Sequence, residues 1–216
     1  MKILALDAAL GGFSAALDVD GAVRVDASGK QDALEHGLAR VAALLERAGL
    51  RLADLDRIAV GLGPGSFTGV RIAVSYAKSL AYGSGRPLVG ISSYDALEPE
   101  APPLPVLTVV SGRRGVVCAR LRTADGATSA CGPTAQVLAR VLHGKTGLVH
   151  LAGNTEDVLP EITRLGLTVR ALPSRADIAA VAIAELARTA APAASPHALA
   201  PDYGEAPATT QPGTPW

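Results

Sequence analysis

Apolar residues recur along the chain in two rhythms. Residues 2–7, 13–19 and 22–27 are short apolar or alternating runs, separated by Gly11-Gly12 and by Asp20-Gly21. The second of these dipeptides favours a tight hairpin, so the three runs predict an antiparallel meander. Over 34–48 the period lengthens. Leu34, Leu38, Val41, Leu45 and Ala48 share one helical face, and Gly49 stands where a helix stops. Residues 57–62 read as a buried strand and lead into a glycine-rich turn. A second helix follows from about 70 to 82, ending before Gly83, and 87–91 make one more strand before a short helix from Ser93.

The resulting order, β-β-β-α-β-α-β, mixes hairpins with crossovers, which suits a ribonuclease-H-like unit better than a doubly wound sheet. A proline-rich stretch over 98–105 marks a boundary. Beyond it, 106–110 and 116–121 flank the turn Ser111-Gly112-Arg113-Arg114-Gly115, predicting a second hairpin. A helix over 136–142, a strand over 147–152 and a short helix over 155–159 come next. Ser174 with Asp177 forms a capping-box pattern that opens a helix carrying Ile178, Val181 and Leu186. The expected fold is α/β, with mixed sheets in two related halves that share no residue-level repeat. Residues 1–103 form the first domain and 104–190 a smaller second one. Residues 191–216, with six prolines, are expected to be a disordered or loosely draped tail.

Composition narrows the function. Half of the 216 residues are hydrophobic (49%), and Lys+Arg and Asp+Glu are both 20, so there is ample core and no net charge. A basic nucleic-acid coat and an acidic solvating tail are excluded as the main business of the chain. Stretches without charge stay far short of the about 20 apolar residues that a membrane span needs. Asp7 interrupts the opening apolar run, and no cleavage site of a signal peptide follows it. Two cysteines, Cys118 and Cys131, are too few for a disulfide framework and fit a reducing compartment, so a cytoplasmic location is expected.

The richest segment chemically is Gly63-Pro64-Gly65-Ser66-Phe67-Thr68-Gly69-Val70-Arg71. A glycine-rich turn between strand and helix presents backbone N–H groups to anions. Its spacing matches neither a phosphate-binding P-loop nor a dinucleotide fingerprint, and Ser66 does not sit in a nucleophile elbow. The other reading is a tight turn that lets two backbones pass, with Ser66 or Thr68 capping the helix. In that helix Ala73, Ala77 and Ala81 form a stripe of small residues beside Tyr76 and Leu80. Such a stripe admits a close helix neighbour, within the chain or from a partner. Asp7, at the end of the first strand, is either a phosphate or metal contact or a cap on the turn that follows. Arg113, Arg114, Arg120 and Arg122 concentrate positive charge where phosphate or tRNA would touch, or else are solvated hairpin residues. His36 is followed four residues later by Arg40, so a helical histidine pair for a metal is absent.

Residues 60–72, together with Ala77-Lys78-Ser79-Leu80-Ala81, resemble the signature of the bacterial TsaB (YeaZ) family. Ile3-Leu4-Ala5-Leu6-Asp7, His36, Leu55-Asp56-Arg57-Ile58-Ala59-Val60 and Val89-Gly90-Ile91-Ser92-Ser93 add to the resemblance, which is dense over 1–98 and thin beyond.

The resemblance implies an acetate kinase/Hsp70/actin-like fold of two ribonuclease-H-like halves. It implies a part in forming N6-threonylcarbamoyladenosine at position 37 of tRNAs that read codons beginning with A. In that role the chain is a non-catalytic, metal-free subunit. A TsaD-type partner transfers threonylcarbamoyl from threonylcarbamoyl-AMP, a TsaE-type ATPase joins the pair, and tRNA is met through the complex. The implied interface lies on the first two long helices, at Leu34, Leu38, Val41 and Leu45 with Ala73, Tyr76, Ala77 and Leu80. The same surface implies a homodimer when the chain is alone. Ala8 and Ala9 stand where relatives carry a hydroxyl after the first-strand Asp, so no cofactor is expected to bind tightly to this chain, and ATP or ADP only in the complex. Asp7, Arg113 and Arg114 are the candidate nucleotide or tRNA contacts. The alternative is a stand-alone enzyme of the same superfamily, a small-molecule kinase or glycoprotease-like peptidase. A third reading is a binding module that stabilises its partner.

Overall fold

Strand β1 (Lys2–Asp7) shows how the first half is assembled. Its side chains alternate between faces, as a strand's must. Leu4 and Leu6 enter one apolar cluster, and Ile3 and Ala5 enter another on the opposite side. A strand buried on both faces needs cover on both. That cover comes from elements far apart in sequence.

The computed structural model describes residues 1–27, 33–112, 114–156, 158–173 and 179–204, with no side-chain description for 27, 33 and 34. β1 pairs antiparallel with β2 (Ser14–Val19), which pairs antiparallel with β3 (Ala22–Ala27). On its other edge β1 runs parallel to β4 (Arg57–Gly61), and β4 parallel to β5 (Leu88–Ile91). The strand order is β3-β2-β1-β4-β5. Helices α1 (Ala33–Arg47) and α2 (Phe67–Ser84) cover the face carrying Leu4, Leu6, Leu17, Ile58 and Val60. α3 (Ser93–Leu97) closes this half, with the Ser92 hydroxyl accepting from the Tyr94 N–H.

The second sheet repeats the plan. β6 (Val106–Ser111), β7 (Val116–Thr123) and β8 (Gly126–Pro133) form a meander, and β9 (Leu148–Gly153) and β10 (Thr168–Ala171) extend it in parallel. Its order, β10-β9-β6-β7-β8, matches the first sheet strand for strand, as the paired ribonuclease-H-like halves of an acetate kinase/Hsp70/actin-like fold require. α4 (Thr134–Val141) packs on β7 and β8, and α5 (Leu159–Arg164) on β10. β8 and β10 were not expected. β8 carries no large apolar residue, and β10 is four residues long; both are edge strands. α5 starts where a helix was expected to end, because Pro160 in its first turn is tolerated at a helix start. α2 runs through Gly83 and stops at Gly85, which takes the left-handed conformation (φ 67°).

α6 (Ala179–Ala187) corrects the expected domain division. It lies within 104–190 yet packs on β1, β2 and β4 of the first sheet. Its alanines meet Ala5, Ala16 and Ala59, so small residues on both sides bring helix and sheet close together. Arg57 donates to the Ala187 and Ala190 carbonyls at the end of the helix, and Arg188 reaches the fully buried Asp18 at 2.8 Å. The capping box at Ser174 and Asp177, and Ile178, lie outside the described residues. The tail differs from expectation as well. The Ala193 N–H donates to the Leu88 carbonyl on edge strand β5, Leu199 is buried in the first core, and the Asp202 N–H donates to the Leu62 carbonyl at 2.7 Å. Residues 193–202 therefore cover the β5 edge, which would otherwise offer unpaired backbone groups.

No helix among the described residues is long and apolar enough to cross a membrane.

Candidate functional site

The glycine-rich turn owes its composition to a close backbone crossing. The Ser66 N–H donates to the Ala9 carbonyl at 2.8 Å, and the Gly63 carbonyl accepts from the Ser93 N–H at 2.8 Å. A Cβ on Gly65 would overlap the Ala9 carbonyl, one on Gly69 the Ala8 carbonyl, and one on Gly63 the Asp202 carbonyl. Gly63 also takes a positive φ of 95°. The Ser66 hydroxyl accepts from the Gly69 N–H at 3.2 Å and so caps α2. Pro64 is buried, whereas Phe67 and Thr68 are exposed.

These crossings set one wall of a cleft of about 1230 Å³. Residues 8–11, 65–69 and Ile72 line it from the first half. The ends of β6, β7 and β8, with Asn154, line it from the second, and Tyr203 and Gly204 of the tail reach in at the side. Asn154 accepts from the Ser111 N–H at 3.1 Å and steadies the far wall. The polar groups in the described lining are hydroxyls, one amide, one phenol and backbone; no carboxylate, imidazole, ammonium or guanidinium belongs to it. Such a surface offers hydrogen bonds but no strong general acid or base.

Asp7 does not face this cleft. It is 1% exposed, and one carboxylate oxygen accepts from the Ala9 and Leu10 N–H groups, each at 3.1 Å. The other oxygen has no partner among the described residues and abuts Gly61, where a Cβ would overlap it. Burial raises its pKa to about 6, against the two backbone donors that lower it. Asp7 is thus the cap on the turn after β1.

The basic concentration is likewise resolved. Arg120 donates to Asp95 at 2.6 Å and to the buried Glu98 at 2.9 Å, and lies over the Tyr94 ring. Arg122 also donates to Glu98, which accepts from the Thr108 hydroxyl at 2.6 Å. These two arginines neutralise an internal carboxylate instead of offering free charge. Burial pushes the Tyr94 phenol up to about 12, with the Asp202 carboxylate acting in the same direction. Arg114 is exposed, and Arg113 lies outside the described residues.

The expected interface residues separate into two groups. Val41, Leu45, Ala73 and Ala77 are buried in the first core, at 2%, 6%, 0% and 0% exposure, and so cannot meet a partner. The alanine stripe faces the sheet: Ala73, Ala77 and Ala81 let α2 lie close on β4 and β1. Tyr76 and Leu80 are half-buried, Leu38 is 44% exposed, and the Leu34 side chain lies outside the described residues. On the outer face of α2, Phe67, Arg71, Ser75 and Tyr82 recur at helical spacing and are exposed. Arg71 lies 3.9 Å over the Phe67 ring and donates to the Tyr203 hydroxyl at 3.2 Å. At the metal-ligand spacing from His36, Arg40 instead pairs with Asp26 at 2.8 Å. Among the described residues no cluster of three or more His, Cys, Asp or Glu could hold a metal.

The cysteines depart from expectation. Cys118 and Cys131 form a disulfide between β7 and β8. The register places them directly opposite one another, so a single bridge crosses the hairpin. The hairpin turns through Ala124-Asp125, and Cys118 and Cys131 each lie six residues from that two-residue loop.

Comparison with known proteins follows the same lines. The family model described as "TsaD: tRNA N6-adenosine threonylcarbamoyltransferase" matches residues 33–202. The tRNA threonylcarbamoyladenosine biosynthesis protein TsaB of Escherichia coli is 39% identical over 94 residues, 43% of this chain and 41% of its own. The Haemophilus influenzae protein of the same name is 34% identical over 98 residues, 45% and 42% of the two chains. The chain thus spans about two fifths of the length of these relatives. The solved structure of YeaZ from Pseudomonas aeruginosa superposes with a TM-score of 0.66, covering 94% of this chain and 100% of that one, at 22% identity.

Proposed function

We propose, from the premise that the chain belongs to the tRNA N6-adenosine threonylcarbamoyltransferase (TsaD) family and is a TsaB/YeaZ-type member of it, that it serves as a non-catalytic subunit in forming threonylcarbamoyladenosine on tRNA. The reaction to be served is transfer of a threonylcarbamoyl group from threonylcarbamoyl-AMP to N6 of adenosine 37. A TsaD-type partner carries the chemistry, and a TsaE-type ATPase acts on the pair. The observation that supports the subunit role is the cleft lining, whose described groups include no acid–base residue suited to moving the proton off N6.

The surface for the partner is the one that α1 and α2 leave exposed. Leu38 on α1, with Ser75 and Tyr82 on α2, presents apolar and small side chains outside the core. In the absence of the partner the same exposed helix surface serves for self-association. The cytoplasm, where tRNA is modified, is the proposed location.

The test is reconstitution. Purified chain, TsaD-type subunit, TsaE-type ATPase, threonylcarbamoyl-AMP and unmodified tRNA are combined, and the modified nucleoside is quantified by mass spectrometry. Modification that requires both this chain and the TsaD-type subunit supports the proposal. Turnover of ATP or cleavage of peptide by the chain alone would favour a stand-alone enzyme.

A further inference from the structure

The disulfide lies at a junction that the subunit role does not use. Cys118 and Cys131 both line the cleft, so small solutes reach them from there. Cys118 is 6% exposed and Cys131 is half-buried, which makes Cys131 the more open sulfur. The tail rests directly on the pair. A Cβ on Gly204 would lie 2.5 Å from both sulfurs and 3.2 Å from the Pro64 side chain. The Gly204 N–H donates to the Asp202 carboxylate at 2.9 Å, and Gly204 takes a φ of 69°. One residue earlier, Tyr203 stacks on Phe67 with ring centroids 4.9 Å apart and accepts from Arg71. The seat of Gly204 is therefore formed by the bonded sulfurs on one side and the glycine-rich turn on the other.

We infer that Cys118 and Cys131 are a thiol–disulfide site whose redox state decides whether residues 199–204 stay docked against the glycine-rich turn. The reactant class is a low-molecular-weight thiol with its disulfide. In the reducing direction a thiolate attacks Sγ of Cys131, forming a mixed disulfide there and expelling Cys118 as thiolate. A second thiolate then attacks the small molecule's sulfur in the mixed disulfide, releases Cys131 as thiolate, and leaves as the oxidised small molecule. Two small thiols thus supply the two electrons, and oxidation by the small disulfide runs the same steps backwards.

Separation of the sulfurs from bonding to van der Waals distance removes the seat. Each Sγ must turn away or swell toward Gly204, which has no slack on that side. Release of Gly204 frees Tyr203 from the Phe67 ring at the start of α2. The bond closes only the β7–β8 hairpin, 13 residues apart in sequence, so the second half keeps its fold without it. The inference stands on this packing and does not depend on the tRNA reading.

The experiment uses the full chain equilibrated with glutathione or with glutathione disulfide. Intact mass after alkylation counts free thiols, and hydrogen exchange read by mass spectrometry follows the tail. The expected result is two alkylatable thiols in glutathione and none in glutathione disulfide. Exchange at Asp202 and Gly204 should be at least about tenfold faster in the reduced chain, with β6 and β7 unchanged. Gly204→Ala should exchange fast in both states, because the added methyl meets the sulfurs. Equal tail exchange in the two states overturns the inference, as do thiols that stay free in glutathione disulfide. Protection lost throughout the second half on reduction also overturns it, since the bond would then be a structural staple.

Discussion

A Cβ on Gly69 would overlap the carbonyl oxygen of Ala8, so the turn after β1 and the first turn of α2 meet backbone to backbone. Gly65 stands in the same relation to Ala9. The glycines are thus placed by the crossing of two chain segments. The cleft wall inherits its shape from that crossing.

Gly69→Ala should cost about 3 kcal/mol of stability, because the obstacle is backbone on both sides and cannot turn aside. Urea denaturation of the variant beside wild type measures it. A loss below about 0.5 kcal/mol would show that the crossing is looser than described.

Two arginine substitutions separate the core from the surface of the two helices. Ala77→Arg buries a charge at a site with no exposure and should cost more than about 4 kcal/mol, leaving little folded chain. Leu38→Arg, at 44% exposure, should leave thermal stability within a few degrees of wild type yet weaken binding to a TsaD-type partner. Thermal melts and a pull-down distinguish the two effects. Full binding by Leu38→Arg would remove that residue from the interface.

Asp7 makes stability depend on pH. Its folded-state pKa is about 6 against the ordinary aspartate value of 3.8, so between these values the folded chain holds a proton that the unfolded chain has released. Stability from this group is complete below pH 4 and is lost as pH rises through 6, by about 3 kcal/mol in total. Asp7→Asn cannot ionise, and its stability curve should lack that fall. Melting temperatures of both proteins from pH 4 to 8 check it; parallel curves would contradict the burial account.

Glu98 neutralises two arginines from inside. Glu98→Gln should destabilise by about 3 kcal/mol, because Arg120 and Arg122 lose their shared buried carboxylate. Asp95→Asn, at a half-exposed carboxylate, should cost less than about 1 kcal/mol. Chemical denaturation of both variants ranks them, and equal costs would refute the internal role of Glu98.

Much of the first half was legible from its sequence because its elements carry strong local signals. β1 to β5 and α1 show apolar periodicity bounded by Asp-Gly or glycine, and the glycine run pointed to a backbone crossing as one of two readings. Edge strands β8 and β10 were not legible, since an edge strand needs few large apolar residues. The position of α6 was hidden for another reason: its alanines match the first sheet's small residues, a relation between segments more than 100 residues apart. The interface assignment on α1 and α2 confused an apolar stripe with an exposed one, because periodicity reports which residues share a face but not what that face meets. Arg120 and Arg122 misled similarly, as their partner Glu98 lies on another element.

The central claim is that this chain supports tRNA threonylcarbamoylation without performing the transfer. Nucleoside mass spectrometry of bulk tRNA from cells depleted of the chain tests it most directly. The account predicts a fall in threonylcarbamoyladenosine that wild-type chain restores and Leu38→Arg, expressed to the same level, restores poorly. Unchanged threonylcarbamoyladenosine under verified depletion, in cells with no second copy, would contradict it.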